Sequence, residues 1–596
     1  MQQPFTTRPE IRGTFGAVAS THWIASAVGM SVLERGGNAF DAAVAAGFVL
    51  QVVEPHLVGP GGEVPIILKQ HDAAEPVVIC GQGPYPQAAT LERFASLGLK
   101  QVPGTGLLPS AVPGAFDAWM LLLRDYGTWS VGDVLEAAIG YAENGYPVLP
   151  RVASSILAAK DFFIAEWPSS AAIWLPGGEV PRPHALHRTP AIAATYRRIV
   201  AEAESAGRDR ERQIERARAA FYRGFVAEAI DGFYRSAELM DSSGRRHAGL
   251  LTADDMASYR ATIEPTVSRR YRGVTVHKTG PWGQGPVLLQ TLALLERFDL
   301  DAMDPCGERF VHTLVEALKL GYADREVFYG DPNFVDVPLA TLLSDDYAAV
   351  RRKLIGESAS AEMRPGELPG AAERMRRVMA MAGAETPVGI GFGEPTFAVL
   401  PVEWGDTVHI DVVDRFGNML SATPSGGWLQ GSPAVPALGF AISTRGQIGW
   451  LEPGHPATVR PGARPRTTLT PTLVTRDGEA WLATGTPGGD QQDQWTLAVF
   501  LRLLHHDLDL QAAIDLPLFT SRHFPQSFYP RTAEPKRLLI EERIGADAIA
   551  ALARRGHDVK VEGAWALGRV CAVARRDGMV TAAATPRLMQ AYAIGR

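Results

Sequence analysis

Short apolar runs predict strands over residues 15–20 and 64–69, while residues 25–35 and 39–54 carry apolar side chains at helical spacing around the break Gly36-Gly37-Asn38. The chain thus opens strand, helix, helix, strand. Residues 113–235 are mostly of helical period, including 131–144 and 191–222, and Thr252 with Asp255 three residues on predicts a capped helix over 252–259. Residues 271–278 alternate as a strand and run into the turn-rich stretch 280–286, after which helices are expected over 287–298 and 310–328. Residues 357–405, rich in Ala, Gly, Pro, Met and Glu, lack clear periodicity. A stretch of roughly fifty such residues far exceeds an ordinary connection and reads as an exposed linker ending near residue 406. Beyond it the pattern turns to strands over 407–414 and 418–423, a hairpin of 472–475 with 480–484 across Arg476-Asp477-Gly478, and a helix over 490–504 behind Gly488-Gly489.

Composition narrows the function classes. With 596 residues, 46% hydrophobic and 21% charged, the chain has the make-up of a globular protein able to build large cores. A net charge of −7 argues against nucleic acid or an anionic membrane as partner. The basic run 208–218 holds Arg210, Arg212 and Arg216 beside Glu211 and Glu215 at helical spacing, the pattern of a solvated helix face. Cys80, Cys306 and Cys571 form neither a C-x-x-C pair nor an even set, which fits a reducing compartment. The first twelve residues carry no apolar core of a secretory signal, and the longest apolar stretch, 42–53, is too short to span a bilayer, so the expectation is a cytoplasmic protein.

Several motifs stand in order along nearly the whole chain. They are Gly36-Gly-Asn-Ala-Phe-Asp-Ala-Ala-Val-Ala-Ala running to Val53-Glu54-Pro55 and Gly59-Pro60-Gly61-Gly62, then Val112-Pro113-Gly114-Ala115, then Glu316-Ala317-Leu318-Lys319 through Ala323-Asp324-Arg325 to Gly330-Asp331-Pro332. Thr407-Val408-His409 through Gly417-Asn418, Arg464-Pro465-Arg466-Thr467-Thr468-Leu469-Thr470-Pro471-Thr472 and Thr486-Pro487-Gly488-Gly489 follow. Together they resemble the γ-glutamyltransferase family of N-terminal-nucleophile hydrolases. The resemblance implies an α/β four-layer αββα sandwich, with two subunits from one self-cleaved precursor, here residues 1–406 and 407–596, cut between Asp406 and Thr407.

The implied chemistry needs little beyond one residue. A threonine hydroxyl requires a base, and cleavage before Thr407 would free an α-amine on the same residue with an ordinary pKa of about 8 to take its proton. Glycine lets backbone N–H groups converge on developing negative charge, the role the resemblance implies for Gly488 and Gly489. It likewise implies a supporting hydroxyl at Ser425 and substrate contacts at Thr467 and Thr468. No cofactor and no metal are expected: His505-His506 lacks ligand partners at helical spacing, and the glycines of 389–393 lie in the linker rather than between strand and helix. The carboxylates of Asp406, Asp411 and Asp414 read as cleavage-site, strand-face and turn residues.

The substrate is a small molecule whose acyl group departs from the family pattern. Leu91 falls where γ-glutamyl enzymes carry a carboxylate-binding arginine, with Arg93 nearby, and Ser443-Thr444-Arg445-Gly446-Gln447-Ile448 replaces the segment that would hold an α-ammonium. A buried ammonium without an anion is costly, whereas Arg445 suits a carboxylate. The expectation is an amide hydrolase or acyltransferase acting on something other than ordinary γ-glutamyl. Genuine γ-glutamyl turnover, oxamate hydrolysis, cephalosporin-acylase-like cleavage, the carbon-carbon cleavage of lincosamide and pyrrolobenzodiazepine relatives, and an inactive binding homologue stand as alternatives.

Overall fold

The computed structural model describes residues 5–381 and 407–596; Asp406 and the glycines of 389–393 fall outside them. Two seven-stranded sheets form its centre. The first runs in the order Ile11–Gly13, Met579–Ala584, Cys571–Arg576, Glu479–Gly485, Thr472–Arg476, Val274–Lys278, Val267–Tyr271. The second runs Tyr592–Gly595, Gly16–Ser20, Ile410–Asp414, Met419–Ala422, Val64–Lys69, Val77–Gly81, Thr262–Pro265. Between them lies a thin core of small and mid-sized side chains, among them Ala17, Ala19, Ile67, Val413, Ala483, Val573 and Ala582, which lets the sheets approach face to face. Helices cover the second sheet through a core holding Phe48, Phe116, Trp119 and Val412, and others cover the first through Leu289, Phe310, Leu318, Trp495 and Leu501. The result is the expected αββα sandwich. Both sheets mix residues from before and after Thr407, so the two segments form one interleaved unit.

Local chemistry explains the element ends that position the site. Asn38 Oδ1 accepts from the N–H groups of Phe40 and Asp41 at 2.9 and 3.0 Å, and Asp41 returns a bond to Asn38 N, a reciprocal cap that starts the fully buried helix Ala39–Val53. Asp414 turns the chain between Ile410–Asp414 and Met419–Ala422 by accepting from Phe416, Gly417 and Asn418 N–H groups, and its other oxygen accepts from Ala39 N at 3.0 Å. The hairpin behind the site is thereby tied to the helix that covers it.

Four expectations need correction. Residues 191–222 form two helices, Pro190–Glu204 and Arg210–Tyr222, because Gly207 takes a positive φ of 92° and Asp209 caps a new start. Residues 271–278 form a hairpin, since Arg272 and Gly273 turn with φ of 47° and 81° between Val267–Tyr271 and Val274–Lys278. The basic run is only partly a solvated face: Arg210 donates to the carbonyls of Leu123, Arg124 and Gly127, and Arg218 forms a two-pronged bond with buried Asp117. The described part of the expected linker, residues 357–381, is docked. Ser360 N donates to Glu316 and Gly366 N to Asp324, and the helix Ala371–Met381 buries Ala371, Met375 and Val378, an apolar stripe too short to stand out in a Met- and Glu-rich stretch. Val378→Asp would bury an unpaired carboxylate under this helix, so it is expected to cost roughly 3 kcal/mol and to lower the melting temperature measured by calorimetry.

Candidate active site

Beyond the paired register Ile410 to Ala422, the same two strands continue irregularly: Val408 N donates to Pro424 O at 3.0 Å and Thr407 bridges Ser425 in antiparallel fashion. Period two puts Thr407, His409 and Asp411 on the face that looks toward the first sheet, opposite Ser425, Thr423 and Ser421. Ser425 is fixed from its other side by a reciprocal backbone pair with Glu63, at 2.9 and 3.0 Å. That approach demands glycine at position 62, where a Cβ would stand 2.2 Å from the Ser425 carbonyl oxygen.

The side chains then form one connected chain. Thr407 Oγ1 donates to Ser425 Oγ at 3.2 Å, Arg445 Nη2 donates to the same oxygen at 2.8 Å, and Arg445 Nε donates to Glu63 Oε1 at 2.6 Å. All four residues are essentially excluded from solvent. The guanidinium lies 5.1 Å from the Trp428 ring and 5.3 Å from that of Phe528, and its Nη1 has no hydrogen-bond partner among the described residues. Sequence reasoning stopped at Gly62 and missed Glu63, the acid next in line, because its partner Arg445 is 382 positions away.

Gly488 and Gly489 follow the strand Glu479–Gly485 and take φ of 127° and 55°, leading through a tight turn into the helix Gln492–His505. Gly488 packs so closely on Trp495 that a Cβ would stand 2.2 Å from the ring. The turn is held by Gln284 Nε2, which donates to Gly489 O at 3.3 Å, and by Asp490, which accepts from Ser527 and from Arg325. Phe528 lies against both Gly489 and Arg445 and so joins the two halves of the site. Thr467 and Thr468 are buried along the turn at Gly283, and Thr468 Oγ1 has no hydrogen-bond partner among the described residues. Arg93 is not brought here: it is exposed on the short helix Leu91–Ser96, whose Phe94 is the residue turned inward.

Below Thr407, His409 Nδ1 lies 3.0 Å from Thr423 Oγ1 and Nε2 lies 2.9 Å from Asp411 Oδ1, and burial pushes the Asp411 carboxyl upward. Asp411 is thus an inward strand residue with a partner rather than a free acid. His505 bonds Tyr271 and Asp301, and His506 bonds the Met303 carbonyl. Among the described residues one trio, His312, Glu316 and His557, is close enough to share a metal. Glu316 is already held by Lys319 and Arg364, and His312 bonds His557 at 2.9 Å, so two cations and a ring-to-ring hydrogen bond oppose that use.

A gamma-glutamyltranspeptidase family model matches residues 25–595. The chain is 29% identical to a glutathione hydrolase-like YwrD proenzyme of Bacillus subtilis (strain 168), over 96% of this chain and 97% of that one. It is 30% identical to an acylase ACY 1 proenzyme of Pseudomonas sp. (strain V22), over 96% and 92%. A solved structure of LmbA2991HD superposes with a TM-score of 0.92 at 51% identity, covering all of both chains. With the motifs in order, the αββα sandwich and a match spanning almost every residue, this chain belongs to the gamma-glutamyltranspeptidase family.

Proposed function

We propose that the chain cuts itself between Asp406 and Thr407 and that Thr407 then acts as nucleophile on amide-type bonds of small molecules. The observation that carries this reading is the Thr407–Ser425–Arg445–Glu63 chain of hydrogen bonds, linked through Phe528, which lies against both Arg445 and Gly489, to the Gly488-Gly489 turn. In the first step the new α-amine takes the hydroxyl proton as Thr407 Oγ bonds the carbonyl carbon. Backbone N–H groups at Gly488 and Gly489 stabilise the oxyanion, and collapse expels an amine that leaves with that proton. Water, deprotonated by the same α-amine, then opens the acyl-Thr ester. Ser425 orients the nucleophile, and Thr467 and Thr468 line the substrate's path.

The acyl group is one other than ordinary γ-glutamyl. An α-ammonium at this place would meet the fixed guanidinium of Arg445, while Glu63, the acid bonded to that group, is already paired. Arg445 Nη1 instead offers a donor to a carboxylate or carbonyl oxygen. That the relatives include an acylase supports a broader acyl range.

A denaturing gel of the purified protein is expected to show fragments of 406 and 190 residues (596 − 406 = 190), the smaller beginning Thr-Val-His, and Thr407→Ala is expected to leave the chain whole and inactive. Persistent cutting in that variant would overturn the nucleophile. Arg445→Lys keeps the charge but loses the fork, so with a glutaryl anilide KM should rise about ten-fold while cutting continues. A γ-glutamyl anilide turned over faster than the glutaryl compound would refute the substrate reading. The rate is expected to fall as pH drops below about 7.5, because protonation of the Thr407 amine removes the base.

A further inference from the structure

The segment that carries Thr467 and Thr468 is pinned by a buried ion pair that the mechanism above does not use. Lys278, the last residue of the strand Val274–Lys278, and Asp493, in the first turn of the helix Gln492–His505, are both fully buried, with Nζ 3.0 Å from Oδ1. The ammonium also donates to Thr470 O at 3.0 Å and to Thr472 Oγ1 at 2.8 Å, so each of its three protons has an acceptor. Asp493 Oδ1 accepts a second bond from Thr470 Oγ1 at 3.0 Å, and Gln492 Oε1 accepts from Thr470 N at 3.2 Å. Thr470 is thus held by its N–H, its carbonyl and its hydroxyl at once.

These bonds close a triangle around the threonines. The turn after Lys278 reaches the other two segments again: Thr467 N donates to Trp282 O at 2.9 Å, and Gln284 Nε2 donates to Gly489 O at 3.3 Å. Segments 278–284, 467–472 and 488–493 therefore fix one another. Within the triangle the two threonines differ. Thr467 Oγ1 accepts from Leu469 N at 3.2 Å and so closes its own turn, whereas Thr468 Oγ1, two residues from Thr470 and buried, has no hydrogen-bond partner among the described residues. The ion pair itself is costly. Burial pulls the Lys278 ammonium down and pushes the Asp493 carboxyl up, each against the attraction of the other, and Asp493 Oδ2 has no hydrogen-bond partner among the described residues. An apolar pair of the same bulk would avoid that cost, so what the charges contribute is the placing of Thr470 rather than stability.

We propose that Lys278 and Asp493 are positioning residues: through Thr470 they set where Thr468 Oγ1 stands relative to the Gly488-Gly489 turn, and with it the affinity for the acyl group. The assignment rests on the reading above in which Thr407 is the nucleophile and Thr467 and Thr468 line the substrate's path. Both residues act through Thr470, so their loss falls on binding and leaves the chemical step at Thr407 nearly as it was.

The test measures KM and kcat with whichever anilide, glutaryl or γ-glutamyl, wild type turns over faster. Lys278→Met combined with Asp493→Leu removes both charges and keeps the bulk, so this double variant is expected to fold and to cut itself as wild type does. Its KM should rise about ten-fold with kcat changed less than about two-fold, and Thr468→Ala should do the same. Thr468→Ala placed in the double variant should add nothing further, because the hydroxyl is already misplaced. Thr470→Val leaves the pair whole and removes only the hydroxyl that couples it to the segment; it should raise KM about five-fold, and it carries the test if the double variant does not fold. Asp493→Asn, which keeps an acceptor for Thr470 and Lys278, should hold KM within about three-fold of wild type. The dissociation constant of the matching free acid, glutarate or glutamate, read by titration calorimetry on the protein as isolated, should follow KM across the series. Three results overturn the proposal: KM unchanged in the folded double variant and in Thr470→Val, effects of the pair and of Thr468→Ala that multiply instead of saturating, or a loss that falls on kcat. A chain that turns over neither anilide yet binds glutarate in a pair-dependent way removes the nucleophile and leaves the pair standing, whereas no turnover and no binding removes both.

Discussion

Everything at the site hangs on the strand Ile410–Asp414 being a central strand of the second sheet, paired with Gly16–Ser20 on one side and Met419–Ala422 on the other. A central strand has both edges satisfied, so its register cannot slip without turning every inward side chain outward. That constraint delivers Thr407 to the sheet's end with its hydroxyl facing inward. The strand's turn is tied through Asp414 to the covering helix, and its start is tied through Ser425 to Glu63. These bonds join the segment before residue 406 to the segment after it, so they would hold the two together after a cut before Thr407, because none of them is made by an atom of the 406–407 peptide.

The electrostatic design follows from burial. Arg445 and Glu63 sit where water is excluded, so each needs the other, and removing either would strand an unpaired charge at a cost of about 3–5 kcal/mol. The aromatic rings of Trp428 and Phe528 accept part of the guanidinium's charge on their faces.

The thin inter-sheet core is the structural counterpart. Alanines at 17, 19, 483, 582 and 593 bring the sheets close, and the polar row of Thr407, His409 and Asp411 continues the same face toward the sheet's end. Larger side chains there would separate Thr407 from the Gly488-Gly489 turn, which is carried by the other sheet.

Much of this was legible in the sequence. Period two and period 3.6 are local properties, so the main strands and helices emerge from spacing, and the ordered motifs carried the family, the sandwich and the proposed roles of Thr407, Ser425, Gly488 and Gly489. Short turns such as Arg272-Gly273 and the break at Gly207 were blurred because apolar periodicity persists across them. What only the tertiary structure decided are the pairings across hundreds of residues: Glu63 with Arg445, Thr21 with both His409 and Glu54, and Arg569 beside Thr486. It also decided that Arg93 is exposed while Arg445 is buried. Sequence fixes which chemical groups exist and which local conformations they favour, whereas the environment of a charge depends on what folding brings within a few ångströms of it.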